Sequence, residues 1–254
     1  MDKNLALVFL VVFAVANYLG MNGTKKGIHI PIRRVPGLDA MEEAIGRATE
    51  MGRSSLFVIP SGQFDAQAFA AFDILGYVAK ESAKYDTRLI VVNGLPESHA
   101  ISQEVVRQAY IAQGKEEKYD SNDMLFLSSG FNAGVLGIYE REKLGANFMF
   151  GSFFFESLTL AEAGSRTGAI QVSGTANTHQ LPFLVAACDY TLIGEEIYAA
   201  GTYLSRNGAQ IGSLVAQEVG KYVSIAVMLF GSLYFTLTSP AAKKLAQALW
   251  GWAR

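Results

Sequence analysis

The stretch from Ala146 to Ser205 restricts this chain more than any other. It reads ANFMFGSFFFESLTLAEAGSRTGAIQVSGTANTHQLPFLVAACDYTLIGEEIYAAGTYLS. Three short apolar runs, Asn147–Phe150, Ala169–Val172 and Tyr190–Ile193, alternate with segments of helical period. Each run leaves through Gly or Ser: Gly151-Ser152, Ser173-Gly174 and Gly194. Successive βα units of a parallel sheet read this way. The small residues then sit at the carboxyl ends of the strands, where open α/β sheets keep their clefts.

The same rhythm extends backwards. Asp39 opens a helix, with Glu42 three residues on in the sense of a capping box. Ser55–Pro60 is a strand leaving through Ser61-Gly62, and Asp65 caps a long helix with Phe69, Phe72, Leu75 and Val78 on its inward stripe. Arg88–Val92 is the next strand, leaving through Asn93-Gly94 into a helix over 98–113. Gly114 to Asp123 is the most polar window and reads as a solvated surface loop. Met124–Leu127 completes the set. The expected fold class is α/β and Rossmann-like, a mostly parallel sheet of about six strands with flanking helices.

Half of the 254 residues are apolar and only 17% are charged, which is apolar for a globular α/β domain and suggests membrane segments. Leu5 to Met21 is uncharged. Ala14-Val15-Ala16 has the spelling of a signal-peptide cleavage site, but Asp2 spoils the basic n-region, so the run reads as an uncleaved anchor. A second uncharged run, Tyr222–Leu237, ends a continuous rod of about 45 Å from Ala209 to Thr238. The expected plan is a transmembrane helix over 1–21, a connector over 22–38, a cytoplasmic α/β domain over 39–208, a long helix with the second transmembrane segment over 209–238, and an amphipathic C-terminal helix over 239–254. Lys25, Lys26, Arg33 and Arg34 follow the first run, so the positive-inside rule puts the bulk of the chain on the cytoplasmic side of the cell membrane.

Several signatures are absent. There is no P-loop and no G-x-S-x-G elbow. Gly130, Gly134 and Gly137 lack the dinucleotide spacing, and no acidic residue ends the following strand, so no cofactor is expected. His29, His99 and His179 are isolated and give no metal-ligand spacing. The net charge of −2 leaves no basic stripe for nucleic acid. Cys188, the only cysteine, excludes an intrachain disulfide and reads as a buried small hydrophobe.

What remains is a polar set at the strand exits. Ser173 belongs to it; Ser61, Asn93, Ser129, Ser152, Thr175 and Asn177 are candidate ligand-binding residues, together with Glu156 just after one exit. Glu195, Glu196 and His179 are the candidate catalytic groups, a Glu as base and His179 as acid. Two adjacent buried carboxylates would resist joint ionisation, which raises one of them toward neutrality. Against this stands a structural reading: turns and caps need small polar residues, and acids favour the first turn of any helix. Five phenylalanines among residues 148–155 exceed what one strand buries, so some are expected to face a neighbouring subunit.

The run GAIQVSGTANTHQLPFLVAACDYTLIGEEIYAAGTYLS, followed by GSLVAQEVGK, resembles an uncharacterised family of prokaryotic membrane-anchored proteins known as a domain of unknown function. The resemblance spans roughly Ala40 to Lys221 and is clearest over Gln171–Ser205. It implies a cytoplasmic α/β domain tethered by flanking helices, and it brings no catalytic residues with it. The function expected first is therefore a membrane-anchored, homo-oligomeric structural or scaffolding protein. Its partners are the lipid membrane, copies of itself and other membrane proteins. The alternative is a small-ligand binder or hydrolase-like enzyme that uses the strand-exit cleft.

Overall fold

Strand burial on both faces sets the architecture. β1 (Ser54–Ile59), β2 (Leu89–Asn93), β3 (Met124–Phe126), β4 (Leu144–Phe150), β5 (Ile170–Thr175) and β6 (Tyr190–Ile193) form one sheet in the order β3-β2-β1-β4-β5-β6, with every neighbouring pair parallel. This is the Rossmann-like order, and the chain reverses direction across the sheet between β1 and β4. The computed structural model describes residues 36–205 and 208–238, together with positions 7, 10, 11, 13–15 and 18. They fall into two compact units, Pro31–Arg206 on one hand and Met1–Ile30 with Asn207–Arg254 on the other.

In the larger unit the helices are α1 (Pro36–Glu50), α2 (Ala66–Lys84), α3 (Pro96–Ala112), α4 (Phe131–Arg141), α5 (Glu156–Ser165), α6 (Leu181–Ala187) and α7 (Glu196–Ser205). Their starts follow local chemistry. Asp65 accepts from the amides of Gln67 (2.9 Å) and Ala68 (3.3 Å) and so caps α2, while Pro96 stands in the first turn of α3. Period-two alternation then sorts the core. Phe57, Ile59, Val91, Phe148, Phe150 and Val172 face α1, α2, α3 and α7. Leu56, Val58, Ile90, Val92 and Met149 face α4, α5 and α6.

At the centre Phe57 lies between Phe148 and Phe150, ring centroids 6.2 and 5.8 Å away. A polar tie joins the other face: buried Asn147 donates to Gln171 (2.8 Å) and Tyr139 (3.0 Å), and Gln171 donates to the carbonyls of Ala161 and Ala187. That tie fixes α5 and α6 to the sheet. Phe69, expected on the inward stripe of α2, is 53% exposed and meets Phe64 edge to face.

The smaller unit contains α8 (Gly208–Thr238), the continuous rod that the sequence implies. The two expected transmembrane helices are corrected here: among the described residues no helix is long and apolar enough to cross a membrane. α8 has the length but not the apolar extent. Gln210, Gln217, Glu218 and Lys221 occupy its first half. The uncharged run from Tyr222 to Leu237 rises only about 24 Å, against about 30 Å of hydrocarbon. Leu5–Met21 would rise only about 25 Å as a helix, and apart from the seven positions named it lies outside the described residues. The connector as far as residue 35 and the C-terminal helix expected over 239–254 also lie outside them. Gly220 admits the ring of Phe13, whose Cε2 would stand 3.0 Å from any Cβ there.

Phe57→Ala removes the ring that both neighbours stack on, and about 3–5 kcal/mol of stability should go with it, read from urea unfolding of the full-length protein. Phe155→Ala, at a position 81% exposed, should stay within about 0.5 kcal/mol of wild type in the same experiment.

Candidate functional site

The carboxyl ends of β1, β4 and β5 meet at the reversal point, where folds of this topology hold their ligands. Here the chain's own groups fill it. Gln67, in the first turn of α2 and 5% exposed, is the hub. Its Oε1 accepts from the Ala176 amide (2.7 Å) and from Thr175 Oγ1 (3.1 Å). Its Nε2 donates to Asp65 Oδ2 and Asn177 Oδ1, both at 3.2 Å. Asn177 in turn donates from Nδ2 to the Phe153 carbonyl (2.6 Å) and Ser152 Oγ (3.3 Å). One chain of hydrogen bonds thus ties three strand exits together. Gly62 closes the remaining gap, because a Cβ on it would fall 1.9 Å from the carbonyl oxygen of Ser152. Only a residue without a side chain allows the β1 and β4 loops to approach so closely.

The structure brings some of the expected residues together and separates others. Ser152, Thr175 and Asn177 belong to the network just described. Ser173 pairs with Thr191 at 3.1 Å between β5 and β6. Ser61 is exposed and lies against Gly94, and Ser129 is exposed on the turn before α4. Asn93 is fully buried; its Oδ1 accepts from Ser102 (2.8 Å), while its Nδ2 is buried without a partner. Glu156 opens α5 at 3% exposure, and its Oε1 likewise has no partner.

The three candidate catalytic groups serve other ends. His179 is exposed on the turn before α6. No hydrogen bond joins it to Glu196, whose Oε2 accepts from the Ile193 amide (3.0 Å) and so caps the end of β6. Glu195 is exposed and gives its carbonyl to the amides of Tyr198 and Ala199 at the start of α7. The two are not the buried pair that the sequence suggests: Glu195 is exposed and Glu196 half-buried.

With the geometry in place, the comparison with known proteins is direct. The chain belongs to the family described as a domain of unknown function (DUF6754), whose model matches residues 1–246. No curated protein and no solved structure matches it. The family match therefore covers nearly the whole chain, well beyond the Ala40–Lys221 of the resemblance, and brings no activity with it.

The sequence reading passed over Gln67, the residue on which the exits depend. A Gln two positions after a capping Asp looks like solvated first-turn chemistry, and its partners lie 108 to 110 residues away. Among the described residues no group of three His, Cys, Asp or Glu side chains is placed to hold a metal ion. Cys188 is not an activated nucleophile. Burial pushes its thiol up to about 11, a hydrogen bond to Ser173 opposing and Asp189 adding to the shift.

Two measurements check this picture. In a double-mutant cycle of Gln67→Ala and Asn177→Ala, each change should cost about 1–3 kcal/mol and the pair should couple by at least about 0.5 kcal/mol; strict additivity would mean the clasp is not a unit. Because folding favours the protonated Cys188 thiol, that share of stability is intact below its ordinary pKa of 9.0 and is lost as pH rises toward about 11. At pH 8 iodoacetamide should therefore alkylate the folded protein at least about tenfold more slowly than the urea-unfolded chain.

Proposed function

We propose that this protein is a self-associating structural module held at the cytoplasmic face of the cell membrane. The observation that carries the reading is the amount of large apolar side chain left uncovered on adjacent elements. Phe148, Phe150 and Phe153 go into the core, but Phe154 and Phe155 project from the β4 exit, the latter at 81% exposure. Leu158 on α5, Phe183 and Val185 on α6, and Tyr190 and Ile193 on β6 continue the exposed set. α5 packs on α6 and α6 on β6, so these elements are neighbours, with Ile193 on the α6 face of the strand and Tyr190 on the opposite one. β6 is also the edge strand of this sheet among the described residues, with Glu196 already holding its Ile193 amide. An apolar surface beside a sheet edge is what a second copy of the same chain can cover.

The membrane part of the proposal requires no span. α8 exposes Tyr222, Met228, Leu229, Phe230 and Tyr234 along its second half, an apolar surface suited to lipid or to neighbouring helices. Lys25, Lys26, Arg33 and Arg34 supply a basic cluster of the kind that anionic cytoplasmic lipids attract. The resemblance to prokaryotic membrane-anchored proteins points the same way. Other membrane proteins are natural further partners for such a module.

A second reading, a small-ligand binder or hydrolase-like enzyme at the strand exits, draws on one observation. Glu156 Oε1 and Asn93 Nδ2 are buried polar atoms without partners, and such atoms are where a missing ligand would bind. The clasp around Gln67 weighs against it, since the chain's own amides already tie these exits to one another.

Sedimentation of the full-length protein in mild detergent separates the two readings. The wild type should run as an assembly at micromolar concentration. Phe155→Asp should weaken association at least about tenfold, because it places a charge in an apolar contact. Glu195→Gln and Glu196→Gln should leave it unchanged. A wild-type monomer under these conditions would remove the structural reading and favour the ligand one.

A further inference from the structure

The amino-terminal edge of the sheet, opposite the strand exits, holds a pocket of about 260 Å3 between the α2–β2 turn, α3 and the loop before β3. It is a little smaller than the roughly 300–1,000 Å3 of drug-sized sites, so it suits a fragment-sized molecule. Its floor is apolar, built from Ala83, Leu89, Val106 and Met124. Tyr110 and Tyr119 line it with their rings edge to face, centroids 6.3 Å apart.

The walls are tied in place. The segment from Gly114 to Asp123, which reads as a solvated loop, instead forms two short helical turns and ion-pairs across to the α2–β2 turn. Lys115 and Lys118 each reach Asp86 Oδ1 at 2.7 Å. Arg88 forks onto Asp123, with its shortest contact 2.6 Å, and also reaches Glu142 at 3.1 Å. Asp86 has φ +59°, and it is the one non-glycine residue at positive φ among the described residues. Asp tolerates that left-handed conformation, and the turn is closed by the Asp86 amide on the Ala83 carbonyl (3.3 Å) and the Thr87 amide on the Ser82 carbonyl (2.9 Å).

The charge arithmetic then favours one sign of ligand. Asp86, Asp120 and Asp123 line the pocket; Lys115 and Lys118 both pair with Asp86, and Arg88 pairs with Asp123, so the pairing leaves Asp120 over. Asp120 uses Oδ1 to accept from the backbone and side chain of Asn122, both at 2.8 Å, and no cation pairs with it among the described residues. Burial, with Asp123 and Asp86 adding to it, pushes the Tyr110 hydroxyl up to about 12, so the ring meets the pocket as a neutral phenol. Tyrosine faces and an unpaired carboxylate beside an apolar floor are the means by which proteins hold organic cations.

We propose that this pocket binds a small organic ammonium ion with an apolar body, its charge on Asp120 and the tyrosine rings and its body on the Leu89–Val106–Met124 floor. The site is separate from the self-associating face and does not depend on it.

The test is a ligand-observed NMR titration of the full-length protein with phenethylammonium, its neutral counterpart 2-phenylethanol, and the anion 3-phenylpropionate. Phenethylammonium should bind with a dissociation constant below about 1 mM, at least about fivefold tighter than the alcohol, and the anion should not bind. Asp120→Asn should weaken the cation about fivefold and leave the alcohol unchanged. Asp120 is exposed, so the variant is expected to fold. If circular dichroism shows otherwise, Tyr119→Leu takes its place, and the selectivity of the wild type decides independently of either. Equal binding of cation and alcohol, tighter binding of the anion, no cation binding up to about 10 mM, or wild-type affinity in the folded variant would each overturn the proposal.

Discussion

The hydrogen-bond clasp between Gln67 and Asn177 is the constraint on which the rest of this structure depends. A doubly wound parallel sheet has a natural crevice where its two halves diverge, here between β1 and β4. In this chain the amide of Gln67 reaches across from α2 to the β5 exit, and Asn177 reaches back to the β4 exit. The crevice is bridged before any ligand arrives. The bridge also decides where the aromatic residues go. With Ser152 and Phe153 held inward, the next two residues, Phe154 and Phe155, are carried outward, so closing the exits and exposing the apolar side are two results of one arrangement.

Much of this was legible in the sequence because it is local. Strands buried on both faces give short apolar runs, and the small residues that end them marked the strand exits to within a residue or two. The alternation in Asn147–Phe150 places Phe148 and Phe150 on one face, which is where Phe57 stacks between them. The cap at Asp65 and the break at Pro96 read directly from residue type.

What could not be read is long-range or depends on extent. Gln67 finds its partners more than a hundred residues away, and nothing in its neighbours announces burial. Glu195 and Glu196 look like a coupled acid pair in sequence, yet one is exposed at a helix start and the other caps a strand. The charge run over 114–123 is mostly exposed, as its composition implies, but its ion pairs to residues 29 to 35 positions back along the chain cannot be read from it. The two uncharged runs suggested transmembrane helices through composition, while crossing a bilayer requires length and apolar character together. α8 meets the first requirement and not the second.

A domain whose cleft is closed from within and whose side is left apolar is built to be covered by another surface. Amide hydrogen exchange on the full-length protein, followed across a dilution series in mild detergent, addresses this most directly. The account predicts that protection at residues 155–158 and 183–193 rises with protein concentration, while the clasped exits at 61–67 and 175–177 stay equally protected throughout. Protection at 155–158 and 183–193 that does not change with concentration would contradict it.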